Sequence, residues 1–421
     1  MEVFVKVLVL GSGAKEHALT WSISKSHIIT GLYAAPGNSG TAEIAENIDT
    51  INIQHPKEVL DLCTSLGIDY CVASDLHALN SGVVDTLREA GIPTFGAPQK
   101  STRLETDRLY AREFMQRHSV PSSETEVFTD YESFEAYIRS HEGHLVLKRN
   151  HPLSSLNVFD SDDPEALLEF GKGILTREAL LVESFEEGYN LSIFALVDEN
   201  SYNILPPISD YHKACDNDFG AITNGMGAIC PVPILEKETY SYIVDSIIEP
   251  TFRGMRKENL CYKGVFFFSL LMNGKDAKVT SYHVRFGDPE AQVLLPLFES
   301  DLGNVVKSLE EGSINSFPLK FSSNSAVGVV IAGEGYPNSL PESQAVEITM
   351  KHPDRRKLLF HGATHRNGDG RIYTHGGRCF TVVGIGKNIV KANSHAYSGI
   401  KQISFKGAWN RNDIGNRFFE E

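Results

Sequence analysis

The chain has 421 residues, 39 of them basic and 54 acidic, for a formal charge of −15 at pH 7, and 41% are hydrophobic. That is globular composition with room for two to four domains. So acidic a chain carries no overall positive field, which excludes nucleic acid and anionic membrane as main partners, and no run reaches the roughly 20 apolar residues of a membrane span.

The opening residues, Met1-Glu-Val-Phe-Val-Lys-Val-Leu-Val-Leu-Gly, run into a strand pattern with no signal-peptide n-region or cleavage site, so a cytoplasmic protein is expected. Six scattered cysteines without Cys-x-x-Cys spacing fit a reducing compartment and give no zinc signature. The apolar run Val3 to Leu10 predicts a strand ending in Gly11-Ser-Gly13. A helix over Glu16 to Ser24 and a strand over Ile29 to Ala34 follow. After the turn Ala35-Pro-Gly-Asn-Ser-Gly-Thr41 come Ile51-Asn-Ile53, a helix at His55 to Leu66, a strand at Tyr70 to Ala73, a helix at Ser81 to Ala90 and Pro93-Thr-Phe-Gly96. That alternation predicts a doubly wound, largely parallel α/β sheet. Glu16 stands where a dinucleotide fingerprint needs its third glycine, which argues against nicotinamide binding. The first turn still suits an anion at a helix N-terminus, or serves only as a tight turn.

Beyond Thr102 the rhythm changes. Leu104 to His118 reads as an amphipathic helix, Pro121 to Val127 as extended chain, Tyr131 to Ser140 as helix and Leu145-Val-Leu-Lys148 as a short buried strand. A polar link (149–163), a helix at Pro164 to Ile174 and apolar Leu180 to Phe185 complete a small α/β lid. Asn190 to Val197, Gly264 to Met272 and Ala277 to Val284 read as antiparallel strands. Further strands are expected at Ala326 to Ala332, Arg371 to Thr374 and Cys379 to Ile385, with a boundary at Asn324. The predicted domains are 1–103, an α/β substrate-binding unit; 104–324, with the lid at about 121–185; and 325–421.

Several segments together resemble the phosphoribosylamine–glycine ligases, ATP-grasp enzymes of purine synthesis. They are Val7-Leu-Val-Leu-Gly-Ser-Gly13 with Glu16-His17-Ala18, Ala35-Pro-Gly-Asn38 with Gly40-Thr41, Asn224-Gly-Met-Gly-Ala228, Arg285-Phe-Gly-Asp-Pro-Glu290, Phe360-His361, Gly376-Gly-Arg378 and Asp413-Ile-Gly415. The resemblance implies an N-terminal doubly wound α/β domain, a central ATP-grasp domain with an inserted lid, and a C-terminal α+β domain. It also implies a reaction. ATP phosphorylates the glycine carboxylate, and the amine of 5-phosphoribosylamine then displaces phosphate, with Mg2+ and cationic side chains steadying the moving charge.

The resemblance carries Gly11, Gly13, Gly37, Asn38, Thr41, Asp218, Gly220, Thr223, Gly225, Met226 and Gly227 over as substrate-binding positions. It carries Arg285, Asp288 and Lys213 as catalytic ones. Each of these retained residues could instead serve only the fold. On the nucleotide side it implies Arg108 and Lys148 for phosphates, Glu183 at the adenine linker and Asn190 at the ribose. Glu183 could instead be a solvated loop carboxylate. The glycine-rich phosphate loop is replaced by Arg149-Asn-His-Pro-Leu-Ser-Ser-Leu-Asn-Val158, which cannot easily bring backbone N–H groups onto a polyphosphate.

Where the family writes Glu-Phe-Asn, with magnesium on the first and third side chains, this chain has Ser281-Tyr-His283. Magnesium wants hard oxygen ligands, so no metal ligand is assigned and His283 is expected to be a hydrogen-bonded structural histidine. Two functions follow: a divergent ATP-dependent carboxylate–amine ligase with altered activity, or a non-catalytic paralogue (a pseudoenzyme) that binds a sugar phosphate, a nucleotide or a protein partner.

Overall fold

A computed structural model describes residues 5–153, 157–233, 235–339, 342–350 and 354–419. Its first sheet is parallel, in the order Glu46–Asn47, Ile29–Pro36, Val5–Gly11, Tyr70–Ala73, Thr94–Phe95. Both faces are covered, which is why Val7 to Leu10 is uniformly apolar. Leu8 and Leu10 pack toward Val59, Cys63 and Leu87, while Val7 and Val9 pack toward Ala18 and Leu19 of helix Ala14–Ile23.

A second, antiparallel sheet runs Tyr202–Ile204, Tyr189–Val197, Gly264–Asn273, Asp276–His283, and a small sheet runs Glu126–Phe128, Leu180–Ser184, Leu145–Arg149, Val158–Ser161. Helices Tyr131–Ser140 and Pro164–Leu175 give the small sheet a core of its own, built from Phe134, Ile138, Leu147, Leu168 and Val182. That is the α/β lid.

The last large sheet crosses Asn324. Strands Ser209–Cys215 and Phe219–Cys230 join Ser325–Ala332, Arg378–Gly386 and Lys357–His361 in one antiparallel sheet. The earlier pair was not anticipated, since it is rich in glycine and polar residues rather than in β-branched ones. The helix expected over Leu104 to His118 is two helices, Gln99–Thr106 and Arg108–Arg117. Asp107 breaks it by leaving the helical region and accepting from the Tyr110 N–H as an N-cap. Among the described residues no helix is long and apolar enough to cross a membrane.

Candidate active-site cleft

The candidate site lies at the carboxyl ends of the first sheet. The strand order reverses there between Val5–Gly11 and Tyr70–Ala73, the place where open α/β sheets bind ligands. Gly11 and Gly13 lie under the Glu16 carboxylate, which accepts from the Gly13 N–H at 2.9 Å. Asn38, next to Gly37, donates to Ser12 O (2.9 Å) and His361 O (2.7 Å) and accepts from the N–H groups of Gly40 and Thr41. Thr41 Oγ1 donates to Asn47 Oδ1 at 2.8 Å. The side chains of Asn38 and Thr41 therefore brace the turn and tie it to the C-terminal strand.

The segment 285–290 forms the opposite wall. Asp288 accepts from Gln292 Nε2 (2.8 Å) and from the Lys15 N–H (3.3 Å) and pairs with Arg378 at 3.2 Å. Burial opposes its charge, but Arg378 and Lys15 outweigh burial and hold the carboxyl below the usual range. Arg378 also reaches Asn224 O, so one guanidinium joins two of the family motifs. Several buried polar atoms without a protein partner fall on segments converging here: Ser39 Oγ, Ser74 Oγ, Arg285 Nε, Glu290 Oε2 and Gln292 Oε1. Such orphans are rare in folded proteins and mark strain or a ligand's place.

The glycine-rich segment is held tightly. Thr223 Oγ1 donates to His212 O (2.7 Å) and accepts from the Gly225 N–H. Gly225 has φ +109°, and a Cβ there would lie 2.7 Å from Pro289 Cδ; at Gly227 it would lie 2.7 Å from Ile414 Cδ1. These glycines let the strand touch the 288–290 wall and the chain's last segment. Met226 is sealed among Val330, Ala332 and Trp409 and faces no cleft. Asp218, before Gly220, pairs with Arg411 (2.9 Å) and Arg417 (2.7 Å). Lys213 reaches out of its strand to the lid, where Asp160 accepts from it at 2.7 and 2.8 Å. Among the substrate positions, then, Asn38, Thr41, Thr223 and Met226 direct their side chains into the fold, while Asp218 is exposed.

Asp210 and His212, two apart on one strand, face the same side. They form an ion pair at 2.6 Å, and Asp210 also accepts from Ser192 Oγ at 2.9 Å. Burial works against charge on His212, but Asp210 overrides it and brings the imidazole up to about 9, so it is a cation at pH 7. Asn190 approaches its other nitrogen at 3.5 Å.

On the nucleotide side, Glu183 is neither exposed nor on a loop. It is buried in strand Leu180–Ser184, between Lys148 (2.6 Å) and Arg112 (2.6 Å), with Thr125 Oγ1 at 3.1 Å. Against the cost of burial these two cations bring its carboxyl down to about 2, while burial brings Lys148 down to about 8, leaving both charged at pH 7. Arg108 donates to the carbonyls of Arg149 (2.5 Å) and Asn157 (3.2 Å), and burial lowers it to about 10. The cations expected to hold phosphates thus already have internal partners. Residues 154–156 of the altered loop lie outside the described residues.

The metal positions form a closed chain of bonds. Ser281 Oγ and His283 Nε2 are 2.9 Å apart, His283 Nδ1 is 3.1 Å from Glu105 Oε1, and Glu105 accepts from the Val284 N–H and pairs with Arg285 at 2.9 Å. Phe267 stacks on His283. Burial disfavours the Glu105 charge, yet Arg285 and then His283 bring it down to about 2. A neutral hydroxyl, an imidazole and a carboxylate already saturated by arginine do not fit magnesium. Among the described residues no group of three His, Cys, Asp or Glu could hold a metal ion.

Sequence reasoning missed Glu105, Arg112 and Asp160, whose partners lie 178, 71 and 53 residues away. The Asp210-x-His212 spacing was a legible signal, since residues i and i+2 of a strand share a face. Residues 5–105, 106–291 and 326–417 match the N domain, the ATP-grasp (A) domain and the C domain of Phosphoribosylglycinamide synthetase. The chain is 32% identical over 422 residues to a phosphoribosylamine–glycine ligase of Chlorobaculum tepidum, across 98% of this chain and 99% of that one. It is 32% identical over 426 residues to the trifunctional purine biosynthetic protein adenosine-3 of Homo sapiens, of which the match spans 42%. The crystal structure of phosphoribosylamine–glycine ligase from Thermotoga maritima aligns with a TM-score of 0.82 at 27% identity, across 97% of this chain and 100% of that one. With three domain matches in one register and full-length relatives at this identity, the chain belongs to the phosphoribosylamine–glycine ligase family of purine biosynthesis.

Proposed function

We propose that this protein keeps its family's cleft as a binding site for small amine and sugar-phosphate ligands and has lost magnesium-assisted phosphorylation of the carboxylate. The observation that carries this reading is the Ser281–His283–Glu105–Arg285 chain of bonds, which occupies the place the resemblance gives to magnesium. Recruiting the ion there would mean breaking the buried Glu105–Arg285 pair and replacing imidazole by oxygen. Metal assistance supplies several kcal/mol of transition-state stabilisation, and each ~1.4 kcal/mol is tenfold in rate. ADP formation from ATP, glycine and fresh phosphoribosylamine with magnesium is accordingly expected to be orders of magnitude below the ~1–1000 s⁻¹ of ordinary enzymes.

Calorimetry run beside that assay reports whether ATP binds. Turnover in the ordinary range would defeat the proposal. Replacing Ser281→Glu and His283→Asn together restores hard oxygen donors and is expected to raise ADP formation; no change in the double variant would remove the metal positions as the cause. The substrate-side wall, with Asp288, Arg378 and Gln292 joined as described, favours a second reading, a slow ligase on altered substrates. It would show as measurable ADP release that depends on the amine offered.

A further inference from the structure

Glu290 is the buried carboxyl of the cleft that the family motifs leave without a task. Its side chain is sealed from solvent, its Oε2 has no protein partner, and it closes over Gly287, where a Cβ would lie 2.6 Å from that oxygen. It stands in the field of Asp210, His212 and Asp288, and Arg378 feels it from the strand Arg378–Gly386. Helix Ala14–Ile23, packed against the same wall, adds Lys15 and Glu16, which pair with each other. Most of these charges are matched: Asp210 with His212, Asp288 with Arg378, Lys15 with Glu16. Glu290 Oε2 and the carbonyl oxygen of the Gln292 side chain, two residues apart in helix Glu290–Leu294, are both left without a protein partner. The leftover donor in this segment, Arg285 Nε, belongs to a guanidinium already paired with Glu105, so the group left unmatched in the wall is the Glu290 carboxyl, and its complement is a cationic donor.

We propose that Glu290 is an ammonium-binding carboxyl, which receives the protonated amine of a small ligand. The assignment rests on the reading that the cleft still takes a small amine, and it is indifferent to whether ATP is turned over. Burial, then the neighbouring Asp210, pushes the free Glu290 carboxyl up to about 8, so at pH 7 it is mostly the neutral acid. An ammonium ion placed against it favours the carboxylate. The O–H bond of the acid breaks, its proton passes to solvent, and the N–H groups of the ligand replace it as donors. Binding at pH 7 therefore releases a proton, and near pH 9, where Glu290 is already ionised, it releases none.

The test is calorimetry of the full-length protein with glycine and with methylammonium in two buffers of different ionisation enthalpy. Acetate serves as the probe without an amine. The expected result is release of close to one proton per amine bound at pH 7, falling toward zero near pH 9, with no release on acetate. Glu290→Gln, which mimics the neutral acid and should melt at the wild-type temperature, is expected to bind the amine at least about tenfold more weakly and to abolish the release. Unchanged release in that variant would hand the proton to His212 and overturn the assignment. Amine binding by the wild type without proton release, or no amine binding, would overturn it as well. Should Glu290→Gln misfold, the pH dependence of release in the wild type decides alone. Failure here leaves the ADP assay untouched, so the two proposals fall separately.

Discussion

Glu105 shows how much one residue can hold that its local sequence hides. It lies in a stretch that reads as the face of an amphipathic helix, and its partners come from the strand end 178 residues later. No periodicity reveals such a pairing, whereas His283 could be read as structural from the absence of a second histidine at ligand spacing. Replacing Glu105→Gln strands Arg285 in a buried site, and loss of one partner of a buried pair costs about 3–5 kcal/mol. Because the folded-state carboxyl is depressed to about 2, its contribution is fully present above the unfolded value near ~4.3 and is lost as the pH falls through about 2. Urea unfolding should therefore show Glu105→Gln destabilised at pH 7, with the gap to wild type narrowing between about pH 4 and pH 2. A gap independent of pH would show that packing rather than charge makes the difference.

At the scale of elements, the hairpin of strands Ser209–Cys215 and Phe219–Cys230 joins lid, cleft and C-terminal sheet. Its regular neighbours were legible from alternation and apolar runs; the hairpin was not, because contacts such as Gly225 on Pro289 select small residues over β-formers. Gly225→Ala must carry a Cβ at φ +109° and 2.7 Å from that ring, and unfavourable backbone conformations cost about 1–3 kcal/mol before any clash. A lowered denaturation midpoint with an intact m value is expected. The hairpin's other tie, Lys213 to Asp160, holds the lid down, and Asp160 also meets His144 at 3.0 Å. Charged hydrogen bonds contribute about 1.5–3 kcal/mol, so Asp160→Ala should raise amide exchange in strands Leu145–Arg149 and Val158–Ser161 by about tenfold or more. Unchanged exchange would mean that the lid is held by its other contacts, Arg112 to Glu183 first among them.

For the molecule as a whole, composition and strand-helix alternation were enough for the α/β class, and the motifs extended the resemblance along nearly the full chain. What they could not reveal is that the central and C-terminal parts share a sheet, since strand pairing over about a hundred residues leaves no local pattern. The last segment locks that sheet. Arg411, fully buried, pairs with Asp218 and Asp413 and donates to Lys213 O, while Ile414 sits on Gly227. Arg411→Met keeps much of the volume but strands Asp218 and Asp413. Since Asp218 is exposed and Asp413 half-buried, water can take over part of what Arg411 supplied, and a loss of about 1.5–3 kcal/mol in chemical denaturation is expected. Because Asp218 retains Arg417, a loss below about 1 kcal/mol would show that the second arginine suffices.

The shared sheet also sets an order of events at the ribosome. Strand Phe219–Cys230 leaves the exit tunnel about a hundred residues before Ser325–Ala332, the strand that pairs with it in the finished protein. At ordinary translation speeds that is roughly 5–20 s, during which one edge of the hairpin stands open and its glycines have nothing to rest against. The N-terminal sheet, complete within its first hundred residues, can fold at once. The cleft between them is assembled only once Ser325–Ala332 has been made, so the nascent chain is most exposed to wrong pairing while residues 231–324 are being synthesised.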